Sequence, residues 1–324
     1  MDLSLVQDDN VFETVDGQSR DALARLLVQG SWKHRFHKGI RVSANVLTAL
    51  ETYGRFSKEN RSFNQIVLGC EVPAVKAVSL GADCDGRYKA FFSAERGYTF
   101  FKASPYLRWR FSRGWNATGF LALSRLDFTG GGQYDYRARA GGIRLDWAAG
   151  SRMLLGLQGV WGKVDYNRQA YGISSRSANF EQWTALGKSQ KDPFGECSLQ
   201  CEWTRWILLR VGLGYEVNRS NSYGYAYQRP KAHVLAVKST ASGWTFGFFW
   251  TSLVKRYSDS LRPILQIRPE SENEENNVIL ADVAKTLDRG TSVKMQLGLY
   301  RNESPFRNLY YQKTLYSLGL THSF

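Results

Sequence analysis

Long uncharged segments are missing from this sequence of 324 residues. The longest stretch without Asp, Glu, Lys or Arg covers residues 239–254, which is 16 residues, and it contains Gly243 and Gly247. A helix that crosses a bilayer needs about 20 mainly apolar residues, so the sequence predicts no transmembrane helix. The first residues, MDLSLVQDDN, lack the basic and apolar regions of a signal peptide. We therefore expect that a signal peptide was removed or never existed.

Cysteine and histidine are scarce as well, with four residues of each. Four cysteines are too few for a disulfide scaffold and form no CxxC pair, so they are interpreted as small apolar side chains: Cys70, Cys84, Cys197 and Cys201. No motif brings a nucleophile, a histidine and an acid together. We therefore predict no catalytic residue, no metal site, no cofactor and no enzymatic activity.

Positive charge exceeds negative charge, with 43 Lys and Arg against 29 Asp and Glu and a net charge of +14. Such an excess raises the question of a nucleic-acid partner. The basic residues are scattered along the whole chain and form neither a compact patch nor a known binding module. The sequence therefore predicts no nucleic-acid binding.

Apolar and polar residues alternate through most of the chain. In residues 206–218 the odd positions carry Ile, Leu, Val, Leu, Tyr and Val, whereas the even positions include Arg210 and Glu216. The same pattern recurs in residues 39–53 and 291–302. A period of two predicts antiparallel strands with one apolar and one polar face.

The breaks between these strands alternate between short and long. Seven short and eight long breaks give fifteen connections, hence about sixteen strands with both chain ends on the side of the short turns. Many strands are about ten to fifteen residues long, whereas strands in soluble proteins most often have about five or six residues and membrane strands about 9–11. Length therefore favours a membrane barrel over the alternative, a soluble all-β fold. We predict an all-β protein, a closed antiparallel transmembrane β-barrel of about 16 strands, with residues 1–324 as a single domain and both termini in the periplasm.

The last segment alternates in the same way and ends on an aromatic residue. Tyr316, Leu318, Leu320 and Phe324 share one face of this strand. It resembles the last strand of Gram-negative outer-membrane proteins. The resemblance implies an outer-membrane location, a lipid bilayer with lipopolysaccharide as surroundings, and these four residues as the signal read by the barrel-assembly machinery.

Two further segments, residues 217–227 and 300–311, each run from a strand through an Arg/Asn/Ser loop into a Tyr-rich strand. Together with residues 8–12 they resemble the barrel domains of exopolysaccharide exporters and of lipoprotein-surface-display proteins. The chain departs from the exporters because no helical repeat region precedes the barrel. A separately encoded periplasmic partner or plug therefore remains an expectation.

The polar strand faces would line the interior if the apolar faces contact lipid. This places a set of cations in the lumen: Arg25, Arg41, Arg108, Arg110, Arg144, Arg210 and Lys294. Glu51, Glu71, Asp146 and Glu216 are expected beside them. Two interpretations stay open: a cationic lumen that passes anions, or arginine–carboxylate pairs that stiffen the wall.

Two loops carry further hypotheses. Residues 168–195 form the longest predicted loop, about 28 residues, which could fold into the lumen as a constriction, lie on the surface or hide a short hairpin. Residues 270–276 form an acidic cluster that either binds a divalent cation or is simply solvated. The expected function is an outer-membrane channel that passes solutes or an anionic polymer through a cationic lumen. A non-conducting scaffold barrel is the first alternative, and an outer-membrane enzyme is the least favoured.

Overall fold

The computed structural model describes residues 1–11, 19–177, 180–259, 277–301 and 312–324. The strands in these residues are β1 Asp2–Asp8, β2 Asp21–Arg35, β3 Arg41–Tyr53, β4 Arg61–Val75, β5 Val78–Phe91, β6 Ala94–Ser112, β7 Trp115–Phe128, β8 Tyr136–Ala149, β9 Met153–Ser177, β10 Phe180–Thr204, β11 Leu208–Asn218, β12 Tyr227–Ser239, β13 Trp244–Leu253, β14 Arg256–Tyr257, β15 Asn277–Thr286, β16 Thr291–Arg301 and β17 Gln312–His322. Short 3-10 turns lie at His37–Gly39, Ser57–Glu59 and Gly132–Tyr134. Within the described ranges, no helix has the length and apolar character needed to cross a membrane.

The strands form one antiparallel sheet that closes on itself. Neighbours in sequence pair with each other, and β1 also pairs with β17, with Asp2 opposite Thr321 and Asp8 opposite Leu315. The two-residue β14 only adds to the edge of β12, and β13 pairs directly with β15, so sixteen full strands build the wall. This confirms the predicted sixteen-stranded barrel. Closure leaves the wall without an unpaired edge, which a lipid environment requires.

Both chain ends lie at one end of the barrel, which we call the turn end. There the amino group of Met1 donates to the carbonyl oxygen of His322 at 2.8 Å. Short connections join neighbouring strands at this end, for example residues 76–77 between β4 and β5 and residues 113–114 between β6 and β7. We call the opposite end, which carries the longer connections, the loop end.

Alternation assigns each side chain to the outer wall or to the lumen. In β1, Leu3 and Leu5 are 52% and 70% exposed, whereas Val6 and Asp8 are each 1% exposed. The inside of a closed barrel is the more enclosed face, so the apolar, accessible residues form the outer wall. Cross-strand pairing carries this assignment around the sheet, because directly opposed residues point to the same side.

Aromatic side chains gather on the accessible surface of the turn end. The group comprises Trp32, Phe36, Trp109, Phe111, Trp115, Trp206, Trp244, Phe246 and Phe324. Trp115 stacks on Trp147 with ring centroids 5.6 Å apart. Aromatic girdles of this kind sit at the level of lipid headgroups in membrane barrels. The turn end therefore marks one boundary of the apolar belt.

Two segments predicted as loops belong to strands. Of the alternatives for residues 168–195, the hairpin agrees with the structure, because the described part of this segment continues β9 and β10 as paired strands, with Thr184 opposite Gly172 and Phe194 opposite Gly162. Residues 94–98, also expected in a long connection, belong to β6, and only residues 92–93 separate β5 from β6. The acidic cluster at residues 270–276 lies outside the described residues.

Candidate functional site

The barrel interior is the candidate site. The seven predicted lumen cations, from Arg25 to Lys294, all occupy register positions on the inward face. Arg25 is opposite both Ser4 and Glu51, and Lys294 is opposite Gly319, itself the partner of Ser4. Ser4 is 8% exposed and alternates with the outward Leu3 and Leu5.

Two carboxylates are each held between two arginines. Glu51 lies between Arg25 and Arg61, whose Nε atoms are 2.7 and 2.6 Å from its two oxygens. The guanidinium and carboxylate groups come from β2, β3 and β4, which brings them together on one side of the wall. Cross-strand ion pairs of this kind tie three neighbouring strands together.

Glu71 makes the second cluster, nearer the turn end. Its carboxylate accepts hydrogen bonds from Arg41 and Arg108, each at 2.8 Å, and from the Tyr106 hydroxyl at 3.2 Å. Glu71 is 8% exposed, whereas the side chains of Arg41 and Arg108 are 56% and 39% exposed. The cluster therefore fixes the carboxylate but leaves its two cations accessible to solutes.

Other predicted cations also have acidic partners. Ion pairs join Arg144 to Asp146 at 2.8 Å, Arg210 to Glu202 at 2.6 Å and Lys294 to Asp282 at 3.8 Å. Arg61, Glu202 and Asp282 carry no signal in the sequence that marks them as partners, because a strand pattern gives the face of a residue but not its cross-strand register. For Arg110, no ion pair is found among the described residues.

Interior charge is distributed unevenly around the barrel. Among the side chains that the structure describes, the inward face of β2–β6 carries ten cations against five anions, namely Arg25, Lys33, Arg35, Arg41, Arg61, Arg87, Lys89, Lys102, Arg108 and Arg110 against Asp21, Glu51, Glu71, Asp83 and Asp85. The other described strands hold seven inward cations and eight anions, namely Arg144, Arg168, Arg210, Arg229, Lys231, Lys294 and Lys313 against Asp2, Asp8, Asp146, Asp192, Glu196, Glu202, Glu216 and Asp282. The positive excess of the lumen therefore lies on the β2–β6 wall.

A pocket opens in this wall near the turn end, with a volume of about 350 Å³. Its lining residues include Lys33, Arg35, Arg41, Ser43, Glu71 and Tyr106. With Asp83, which also lines it, the pocket has three cations and two acids. It is therefore a concave surface with a small net positive charge and of the size that accepts a small solute.

The loop-end half of the lumen is narrowed by packed side chains. One cluster is formed by Tyr98, Phe100, Leu126, Tyr136, Val164 and Tyr166, which are 0 to 4% exposed. A second, on the other side of the barrel, contains Val6, Val11, Leu23 and Tyr53. Side chains on an inward face become this inaccessible only when other residues cover them. Side chains of β1–β3 and β6–β9 therefore contribute to packing in the loop-end half, whereas a constriction was one of the possibilities considered for residues 168–195.

Polar groups complete the packing at the loop end. The Arg168 guanidinium lies between the rings of Tyr166 and Tyr225, 4.4 and 4.5 Å from their centroids, and its Nε donates to Gln190 at 2.7 Å. Gln190 in turn donates to Asp192 at 2.9 Å. Among the described residues, all buried side chains except Ser4 and Glu71 lie in this half. The interior is therefore packed at the loop end and open at the turn end.

The predicted assembly-signal residues lie on the outer surface. Tyr316, Leu318 and Leu320 are 52 to 55% exposed on β17, the strand that closes the barrel against β1. Phe324 is fully exposed and its ring lies 4.6 Å from that of His322. The four cysteines are free thiols. The described residues contain no group of three or more His, Cys, Asp or Glu that could hold a metal ion.

The chain resembles known proteins in structure but matches none in sequence. No protein-family model matches the chain, and no curated protein matches it. A BenF-like porin from Pseudomonas fluorescens Pf-5 matches with a TM-score of 0.50 at 10% identity, covering 99% of this chain and 97% of that one. CdiB from Acinetobacter baumannii also gives a TM-score of 0.50 at 10% identity, over 99% of this chain and 59% of that one.

At this level of identity the likeness concerns the fold and not an activity. It agrees with the closed sheet, the apolar outer wall and the aromatic residues at the turn end. Long antiparallel strands in a closed sheet with an outward apolar belt are the features of transmembrane β-barrels. The chain therefore has the fold of the bacterial outer-membrane β-barrels, which is consistent with an outer-membrane location.

Proposed function

We propose that the barrel is an outer-membrane channel with a wide cationic vestibule at its turn end and a narrow loop-end half, and that it prefers anionic solutes or an anionic polymer. The observation that carries this proposal is the uneven interior charge, ten cations against five anions on β2–β6. Cations along a pore wall lower the electrostatic barrier for anions and raise their local concentration.

Three of these cations are best placed to act on a passing solute. Lys33, Arg35 and Arg110 lie at the turn end of the inward face, and no ion pair is found for them among the described residues. Their charge is therefore not cancelled by a bound carboxylate. Arg41 and Arg108 add to the same surface, because both remain accessible although they pair with Glu71.

Aromatic rings continue the cationic wall toward the loop end. Arg87 lies 5.4 Å from the centroid of the Phe100 ring, and Lys89 lies 5.8 Å from that of Tyr98. Cations held over aromatic faces keep their charge while the ring supports them from below. Because Tyr98 and Phe100 are themselves buried, the rings support Arg87 and Lys89 from behind, and the two cations are the groups that a passing anion would meet on β5.

Ion selectivity in planar bilayers tests the proposal. In a salt gradient we expect wild-type channels to prefer chloride over potassium. Lys33→Glu, Arg35→Glu and Arg110→Glu together change the charge of the β2–β6 wall from about +5 to about −1, so the reversal potential should move to the cation side. The conservative control, Lys33→Arg, Arg35→Lys and Arg110→Lys, should keep the anion preference. An unchanged reversal potential in the Glu variant would refute the role of this wall.

The packed loop end supports a second candidate, a scaffold barrel that conducts nothing and holds a partner in its vestibule. The two candidates differ in conductance. A barrel that is folded, as shown by heat-modifiable mobility on a gel, but silent at both polarities would reject the channel and favour the scaffold. Stable openings would reject the scaffold.

A further inference from the structure

A group of charged residues breaks the apolar outer wall on one side of the barrel. It is formed by the outward residues of β7–β10 near the loop end, which we call the outer basic patch: Arg125, Asp127, Arg137, Arg139, Lys163, Asp165 and Lys191. Five of these side chains are cations and two are anions. Their outward direction follows from the register, because Arg125 is opposite Arg137 and alternates with the buried Leu126.

The patch is confined to this side. Outside residues 166–190, where β9 and β10 extend past the rest of the wall, the described strands carry four outward charges beyond the patch: Lys238, Arg256, Lys285 and Arg301. Lys238 and Lys285 lie at the turn end, over the rings of Trp206 and Trp244. The patch is thus a local feature and not a general property of the loop end.

Its height matches the edge of the membrane. The outward positions of β9 from Met153 to Trp161 are apolar or glycine, and the charges begin at Lys163. Ten residues of strand rise about 33 Å, which a tilt of 35–45° reduces to roughly 25 Å, close to the apolar band of outer-membrane barrels. Lys163 and its neighbours therefore stand at the level of the lipid headgroups on the loop-end side.

The side chains are spaced to hold one phosphate. Arg139 is directly opposite Lys163, and Arg137 is two residues away on the same strand, so the three backbones lie within about 5 to 7 Å of one another. Asp165 forms ion pairs with Lys163 at 3.0 Å and with Arg139 at 3.5 Å, which orders both cations. The Arg139 side chain is nevertheless 73% exposed. The three cations Arg137, Arg139 and Lys163 therefore carry more positive charge than the single carboxylate of Asp165 neutralises.

We propose that the outer basic patch binds the phosphate groups of a phosphorylated glycolipid in the outer leaflet. Arginine and lysine form short, charge-assisted hydrogen bonds with phosphate oxygens. The apolar surface directly below, with Leu121 and Leu123 at 61% and 52% exposure, takes the acyl chains of the same lipid. A ligand with both a phosphate and acyl chains fits the two surfaces better than a soluble anion does.

Binding of bisphosphorylated lipid A to the folded full-length chain in detergent, followed by native mass spectrometry, tests this site. Arg137→Gln, Arg139→Gln and Lys163→Gln together should weaken binding by about tenfold or more, since each removes a charge-assisted bond. The matched control, Lys238→Gln and Lys285→Gln, removes outward cations at the opposite end and should bind as the wild type does. Because all five side chains face outward, both variants are expected to fold, which heat-modifiable gel mobility verifies.

Two further arms identify the ligand chemistry. Dephosphorylated lipid A should bind the wild type and the triple variant equally weakly. Inorganic phosphate, added at the same phosphate concentration as the lipid, should not displace bound lipid A from the wild type. Equal binding of lipid A by the wild type and the triple variant would overturn the proposal. Full displacement by inorganic phosphate would overturn the lipid assignment, because the site would then recognise phosphate alone.

Discussion

The lumen contains two carboxylates with the same chemistry but different surroundings, and they should contribute very differently to stability. Glu216 forms an ion pair with Arg229, accepts a hydrogen bond from the Tyr227 hydroxyl at 2.7 Å and forms a second ion pair with Lys231 at 3.0 Å. The side chains of Glu216 and Arg229 are each 3% exposed. Glu71 also serves two cations and a tyrosine, but its arginines are 56% and 39% exposed.

The expected magnitudes follow from this burial. Glu216→Gln removes the carboxylate charge that the buried Arg229 guanidinium contacts, and breaking a buried pair in this way costs about 3–5 kcal/mol. Glu71→Gln leaves cations that water can hydrate, so the loss should resemble that of an exposed ion pair, about 0–1 kcal/mol. The two isosteric changes should thus differ by roughly 2 kcal/mol or more in the free energy of unfolding.

Urea unfolding of the refolded barrel in detergent, followed by tryptophan fluorescence and gel mobility, measures both losses. The double variant Glu216→Gln with Arg229→Met removes both members of the buried pair and should regain most of the stability lost in Glu216→Gln. Equal losses for Glu216→Gln and Glu71→Gln would refute the reasoning, because burial would then not decide the cost. A double variant no more stable than Glu216→Gln would show that the guanidinium charge is not the cause.

Two smaller predictions concern single positions. A Cβ atom at Gly81 would lie 2.2 Å from the Tyr106 ring, so Gly81→Val should lower the free energy of unfolding in urea by about 1–3 kcal/mol. Gly86 has open space around it, so Gly86→Val should lower this free energy much less. Equal losses of stability in the two variants would contradict this packing. At the turn end, the backbone N–H groups of Gly290 and the next residue lower the pKa of Asp288. Because of this lowered pKa, the ionised carboxylate stabilises the fold above the carboxyl's unfolded pKa of about 4, and this stabilisation is lost as the pH falls through the folded pKa. The stability difference between wild type and Asp288→Ala should therefore be constant near neutral pH and shrink in acid. A difference that grows in acid would contradict the assignment.

The number of strands and the face of most residues could be read from the sequence, because lipid outside and water inside impose one pattern on every strand. Cross-strand register could not be read in this way. Arg210 occupies an inward register position on β11, and its partner Glu202 lies eight residues earlier in the chain, on β10. The continuation of β9 and β10 could be given only as one of three alternatives, since register shifts between Ala185 and Lys191 interrupt the alternation that would reveal the strands.

The most informative departure is an inversion of polarity on β7–β9. Near the turn end Ile143 faces outward and Arg144 inward, as the sequence pattern predicts for a lipid-facing strand. Toward the loop end the order reverses: Arg137 and Lys163 face outward, while Leu126, Tyr136 and Val164 are buried inside. Apolar and polar residues still alternate after this reversal, so a rule that assigns apolar residues to lipid places the wrong side chains in the lumen there.

The physical environment explains the change, because above the apolar belt the outside of the wall on these strands is polar and the inside is a packed core. A point where polarity inverts along a continuous strand therefore locates the membrane edge, and in this chain it locates the narrow part of the lumen at the same height.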